Sequence, residues 1–259
     1  MLVLFLGLGL LPLAGCQLVD NYIDHFVVLP SHRFLFCLIE KNANSEFSLL
    51  FKSADPHRKQ AIRLFKGRHP QDTFLWHNPR VYNISLASLD QYLQDPSWIK
   101  VVFYRDPLSR FLSAFRSKCQ HLDTNDPKPI CLNTFGHDYA SFHQAVSFLY
   151  QGQLIQDPHF TQQYRLCGGL DKTLSLYQGV YELHPLTSHD ITVRILRKIR
   201  VPIQGEVLRT LRKHFPKVDH VDTFRLQPTK NIVGKLYRAY FGSPDSSYRG
   251  SPDQLFGYP

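Results

Sequence analysis

Four consecutive β-favouring residues, Val101 to Tyr104, run into Arg105-Asp106-Pro107 and from there into a segment whose apolar residues Phe111, Leu112 and Phe115 fall at helical spacing. The run is too short and too continuous for a helix face, and a proline turn closes it, so it predicts a buried strand of a parallel sheet. Pro107 suits the first turn of a helix, where its missing N–H would have no partner in any case. Ser113, Arg116 and Lys118 fill other positions of that helix. A strand, tight turn and helix in this order point to an α/β architecture, and Arg105 stands at the carboxyl end of the strand, where open α/β sheets bind ligands. Arg105 and Ser113 are then placed to face one phosphate, the guanidinium offering a fork of donors to its oxygens. Taken alone, the tripeptide would read first as an exposed ion pair beside a solvated basic helix face.

A second strand, loop and helix lie earlier. Phe34 to Ile39 is an uninterrupted apolar run, Glu40 to Ser45 is polar and turn-prone, and Phe47, Leu49, Leu50 and Phe51 restore an apolar face. The helix N-terminus so predicted presents unpaired backbone N–H groups and the positive end of its dipole, which hold an anion without a metal. Lys41 adds a mobile point charge. Asn44 and Ser45 also have the chemistry of simple helix caps.

The pattern RDPxxRxxSAxRxK from Arg105 to Lys118 resembles the 3'-phosphate-binding segment of the Golgi carbohydrate sulfotransferases, the group that contains the chondroitin enzymes. In that family the Arg and the Ser grip the 3'-phosphate of 3'-phosphoadenosine 5'-phosphosulfate (PAPS), which implies this role for Arg105 and Ser113. Lys41, Ala43 and Ser45 fit the family's 5'-phosphosulfate loop, Pro-Lys-x-Gly/Ala-x-Thr/Ser. Glu40 stands where proline is commoner, and Asn42 and Asn44 replace small or apolar residues. The resemblance implies donor contacts from Lys41, Asn42, Ala43, Asn44 and Ser45. Asp157-Pro158-His159-Phe160 with Gln163 and Cys167, and Tyr237 to Tyr240 with Asp253 to Tyr258, resemble two further family segments, so the likeness spans nearly the whole chain after residue 33. It implies a P-loop-like sulfotransferase fold, a central parallel sheet with helices on both faces and strands near 34–39 and 100–104.

The chemistry implied is in-line transfer of the sulfuryl group from PAPS to a hydroxyl of a glycan or polysaccharide, with positioning and charge stabilisation carrying most of the catalysis. Lys41 would stabilise the departing phosphate. His77, in Phe74-Leu75-Trp76-His77-Asn78, is the candidate base, and His159 is the runner-up or an acceptor-site residue. Lys230 in Gln227-Pro228-Thr229-Lys230 is a weaker candidate for the 3'-phosphate. Acceptor choice belongs to loops such as 120–138. No metal is expected, because the 13 histidines form no HExxH and the cysteines no CxxC. Two alternatives stay open: an inactive relative of the same fold that binds an acidic glycan or nucleotide, and a kinase, which would need a metal-binding acid and a fuller phosphate loop.

A chain of 259 residues with 43% hydrophobic content buries one substantial core. No repeat or low-complexity tract marks a second domain. The segments 191–203 and 207–215 mix apolar and basic residues at helical spacing, with Pro202 and Gly205 between them, and are expected to cover the sheet. The formal charge of +9 and pI near 9.3 imply an anionic partner. Nucleic acid is not expected, since no helix-turn-helix, finger, RNA-recognition or KH signature occurs. Walker-type hydrolysis is disfavoured by the lack of GxxxxGK[ST].

Leu2 to Gly15 is almost wholly apolar, about the length of a signal-peptide core and shorter than the roughly 20 residues of a membrane span. Residues 1–16 are therefore expected as an export signal or short membrane anchor, 17–33 as a stem or linker, and 34–259 as the sulfotransferase domain. Leu13-Ala14-Gly15-Cys16 also resembles a lipoprotein cleavage box, which the missing basic flank weakens. The remaining cysteines, Cys37, Cys119, Cys131 and Cys167, are even in number and compatible with an oxidising lumen. Cys119 and Cys131 bracket a short Asp/Pro/Lys-rich loop and are the favoured bridge, with other connectivity open. Asn83-Ile84-Ser85 is a glycosylation sequon. A Golgi membrane protein with a lumenal domain, or a secreted one, is the expectation.

Overall fold

Two apolar runs, Phe26–Leu29 (β1) and Phe34–Cys37 (β2), pair antiparallel across a 3-10 turn at Pro30–His32, which Arg33 closes with a left-handed backbone angle (φ 46°). The structure, a computed structural model, describes residues 25–55, 79–119, 129–136, 140–150 and 157–218. β2 runs parallel to Ile99–Tyr104 (β3), which runs parallel to Gly179–Glu182 (β4), in the order β1-β2-β3-β4. The sheet is thus parallel through β2, β3 and β4 and antiparallel at β1. Residues 26–29, expected within a stem, belong instead to the sheet: four consecutive apolar side chains, none more than 1% exposed, are buried on both faces and cannot serve as a solvated linker.

The helices are Asn44–Ala54 (α1), Leu86–Gln94 (α2), Pro107–Lys118 (α3), Pro129–Phe135 (α4), Phe142–Tyr150 (α5), Leu170–Thr173 (α6), Ser188–Lys198 (α7) and Gly205–His214 (α8). Side chains alternate across the strands. Val27, Leu29, Phe34, Phe36, Val101 and Phe103 face α1, α7 and α8. Phe26, Val28, Leu35, Cys37 and Val102 face α2, Trp98 and Tyr177. Helices therefore cover both faces, as an α/β sulfotransferase fold requires. A third cluster joins α3, α4 and α5 around Phe111, Phe115 and Phe160.

Two disulfides cross the fold. Cys119–Cys131 links the end of α3 to α4, and Cys37–Cys167 links the end of β2 to the segment before α6 across 130 residues of sequence. The apolar segment 2–15, His77, Lys230, residues 120–128 and 137–138 of the 120–138 loop, and the C-terminal segment 237–258 lie outside the described residues. Among the described residues no helix is long and apolar enough to cross a membrane.

Candidate functional site

The chain leaves β2 through the buried residues Leu38 and Ile39 and turns before α1. Lys41 and Ala43 take left-handed backbone angles (φ 70° and 57°) on either side of Asn42, whose φ is not positive. Such alternation turns successive N–H groups toward one side and makes a concavity suited to an anion. Ala43 is the N-cap of α1 without a side-chain cap, so the first turn of the helix opens on the same concavity.

Asn42 corrects one expectation of a donor contact. Its N–H donates to the Ile39 carbonyl at 3.0 Å, and its side-chain amide donates to the Phe103 carbonyl and to Gln163 Oε1, each at 2.8 Å. At 2% exposure it is an internal brace. The Asn44 side chain is also turned to its own loop, donating to the Glu40 carboxylate and accepting from the Ser45 N–H at 3.0 Å. Asn42 thus has both its N–H and its side-chain amide engaged within the protein, and what Asn44 offers an anion is backbone.

Asp106 caps α3, accepting from the Ser109 N–H at 2.7 Å. The capping carboxylate fixes where the helix starts, and with it the spacing from Arg105 to Ser113. Arg105 Nη1 donates to the Lys41 carbonyl at 3.1 Å. Gln163 locks the same residue from the other side: its Oε1 accepts from the Arg105 N–H at 3.0 Å and its Nε2 donates to the Arg105 carbonyl at 2.8 Å. Burial pulls the Arg105 guanidinium down from its ordinary value while Asp106 opposes the shift.

Arg105, Ser109, Leu112, Ser113, Arg116 and Ser117 line a cleft of about 340 Å³. Lys41 reaches its wall, donating from Nζ to Ser117 Oγ at 2.7 Å. Burial first, and then the neighbouring Lys118 and Arg110, hold the Lys41 ammonium below the ordinary lysine value against the opposing charges of Glu40 and Asp157. Lys41, Arg105 and Ser113 are thus gathered at one cleft with Ala43 and Ser45 in the adjoining loop.

His159 stands behind that loop. Its Nδ1 lies 2.9 Å from Asp157 Oδ1 and its Nε2 3.6 Å from Glu40 Oε2. Burial alone would raise Asp157, but hydrogen bonds from the His159 ring and N–H, with the His159 and Lys118 charges, hold its carboxyl below the usual range. Asn83 is exposed, with φ 55°.

Two residues of the site were given no role from sequence. Arg110, fully buried, donates from Nε to the Glu40 carbonyl, from Nη1 to that of Thr161 and from Nη2 to that of Pro158, each at 2.7 Å. Gln163 joins Asn42 to Arg105. Together they brace the 40–45 loop, the turn after β3 and the 157–163 segment against one another. The available signal was a basic residue among Leu108, Phe111 and Ala114 on the apolar side of α3.

No curated protein and no solved structure matches the chain at a significant level. A family model described as the sulfotransferase family matches residues 24–240, a span that holds β1 to β4, the 40–45 loop and the Arg105–Ser113 cleft, and the chain belongs to the sulfotransferase family.

Proposed function

We propose that this sulfotransferase takes its sulfuryl group from PAPS and transfers it to a hydroxyl of a glycan or polysaccharide in the Golgi lumen. The observation that carries the reading is the convergence of Arg105 and Ser113 of α3 with the Lys41 ammonium at one cleft, beside a loop whose backbone N–H groups suit a second anion. An elongated donor with anionic groups at both ends fits that pair. Arg105 and Ser113 would hold the 3'-phosphate, with Lys230 a further candidate, and the 41–45 backbone would hold the 5' end. PAPS when bound supplies the sulfuryl group and a phosphate leaving group. The bond from sulfur to the phosphate oxygen breaks as that to the acceptor oxygen forms. Lys41 stabilises charge on the leaving oxygen, and His77 takes the hydroxyl proton. His159, oriented by Asp157, is assigned to the acceptor side. The two disulfides and the exposed Asn83 favour an oxidising, glycosylating compartment, with residues 1–16 as the anchor or signal.

Calorimetric titration of the full chain with 3'-phosphoadenosine 5'-phosphate (PAP), the desulfated donor product, tests this. Arg105→Ala is expected to weaken binding by about tenfold to a hundredfold, the worth of a charge-assisted hydrogen-bond pair, and ATP with magnesium is not expected to substitute. A folded chain that ignores PAP would overturn the catalytic reading in favour of a glycan-binding relative.

Gln163→Ala is expected to raise the PAP dissociation constant about tenfold, because Arg105 loses both backbone partners at a cost of about 1–3 kcal/mol. Gln163→Asn, one methylene short, should not restore it. Unchanged PAP affinity in both variants would show that the brace does not set donor geometry.

A further inference from the structure

Helices α7 and α8 repeat one arrangement. Arg194, Arg197 and Lys198 on the first, and Arg209, Arg212 and Lys213 on the second, stand at positions i, i+3 and i+4. That spacing puts three cations on one side of each helix. It is the side away from the core: α7 buries Ile191, Ile195 and Leu196, α8 buries Val207 and Leu211, and all six basic residues are exposed. Both helices cover the same face of the sheet, and His189 Nδ1 donates to the Phe215 carbonyl at 2.6 Å. The start of α7 is therefore tied to the end of α8, on the face of the sheet that both helices cover.

Between residues 188 and 217 eight lysines and arginines face two acids, a net +6 out of the chain's +9. Arg200 and Lys217 complete the eight and are also exposed. Among the described residues none of the eight forms a salt bridge. A solvated helix face ordinarily mixes charges at i and i+4, and like charges at that spacing are destabilising. Helix dipoles account for cations in the last turns, Arg197 and Lys198, Arg212 and Lys213. They do not account for Arg194, Arg200, Arg209 and Lys217, or for the absence of acidic partners.

We infer that this face binds an anionic polysaccharide, a chain bearing sulfate or carboxylate groups, through residues separate from those of the donor cleft. Guanidinium forks match such groups bidentately. No large apolar side chain on the outside of either helix is available to enter a bilayer, and no aromatic platform to stack bases. The choice of a glycan among polyanions rests on the acceptor class proposed above.

The test is titration of the full chain with a chondroitin sulfate oligosaccharide, beside uncharged dextran, single-stranded DNA and phosphatidylserine vesicles, with PAP titrated on every sample. The sulfated glycan is expected to bind, dextran not, and the affinity to fall steeply between about 50 and 200 mM salt as counterion release demands. Arg209→Ser, Arg212→Ser and Lys213→Ser combined should weaken glycan binding at least tenfold with PAP affinity and melting temperature unchanged. Should that triple variant not fold, Arg194→Gln, Arg197→Gln and Lys198→Gln combined provide the same readout. Undiminished glycan affinity in a folded variant, or tighter binding of DNA or vesicles, overturns the inference. Glycan binding lost in the variant by a chain that never binds PAP would leave this surface standing and remove the donor reading instead.

Discussion

Lys41→Ala is expected to lower kcat by roughly a hundredfold to a thousandfold, the usual cost of removing one donor aimed at developing charge, while changing PAP affinity far less. The ammonium sits at the cleft wall on Ser117 Oγ, and its neighbours are Lys118 and Arg110 as well as Glu40 and Asp157. Burial and the like charges lower its pKa from the ordinary 10.5. The active form is the protonated one, so Lys41 sets the alkaline limb, on which kcat/KM falls as pH rises through that lowered value, below 10.5. The sign for folding is consistent: the charged amine costs stability below its folded pKa, and the cost fades as pH rises to the unfolded value. Initial rates with labelled PAPS across the alkaline range check this. Lys41→Arg, whose guanidinium stays protonated, should remove the alkaline limb; a limb that stays where it was belongs to another group.

The parts of this site that were legible in the sequence are those written in local spacing. β2 and β3 are buried on both faces and so stand out as unbroken apolar runs, and the separation of Arg105 from Ser113 is a property of one turn and one helix. Lys41 was placed by its position just after a strand. β1 escaped because a four-residue edge strand with an antiparallel partner leaves no mark beyond its apolar residues. Gln163 escaped for a different reason: two of the three atoms that its side chain bonds are backbone groups of Arg105, and every residue carries such groups. The Cys37–Cys167 bridge closes a span too long for proximity in sequence to suggest it. Asn42 read as a ligand because its loop position matches the family motif, yet its side chain is consumed by Phe103 and Gln163.

Arg110→Met should be the most destabilising single change among these residues, by about 3–5 kcal/mol, because breaking a buried charge network strands its partners. The three carbonyls that Arg110 satisfies belong to Glu40, Pro158 and Thr161, in segments that Gln163 and the His159–Glu40 contact also join. Methionine fills most of the space and none of the hydrogen bonds, so the loss measures the fork rather than a cavity. For a domain of this size the melting temperature should fall by about 6–20 °C, measured by thermal denaturation with PAP absent. Arg110→Lys keeps the charge but only one compact donor group on a shorter, differently shaped head, and should recover little. A methionine variant as stable as the parent would mean that water or other groups satisfy those carbonyls. If the loss is found, PAP binding measured well below the lowered melting point should also weaken, since the 40–45 loop would have lost the contact that fixes Glu40 to α3.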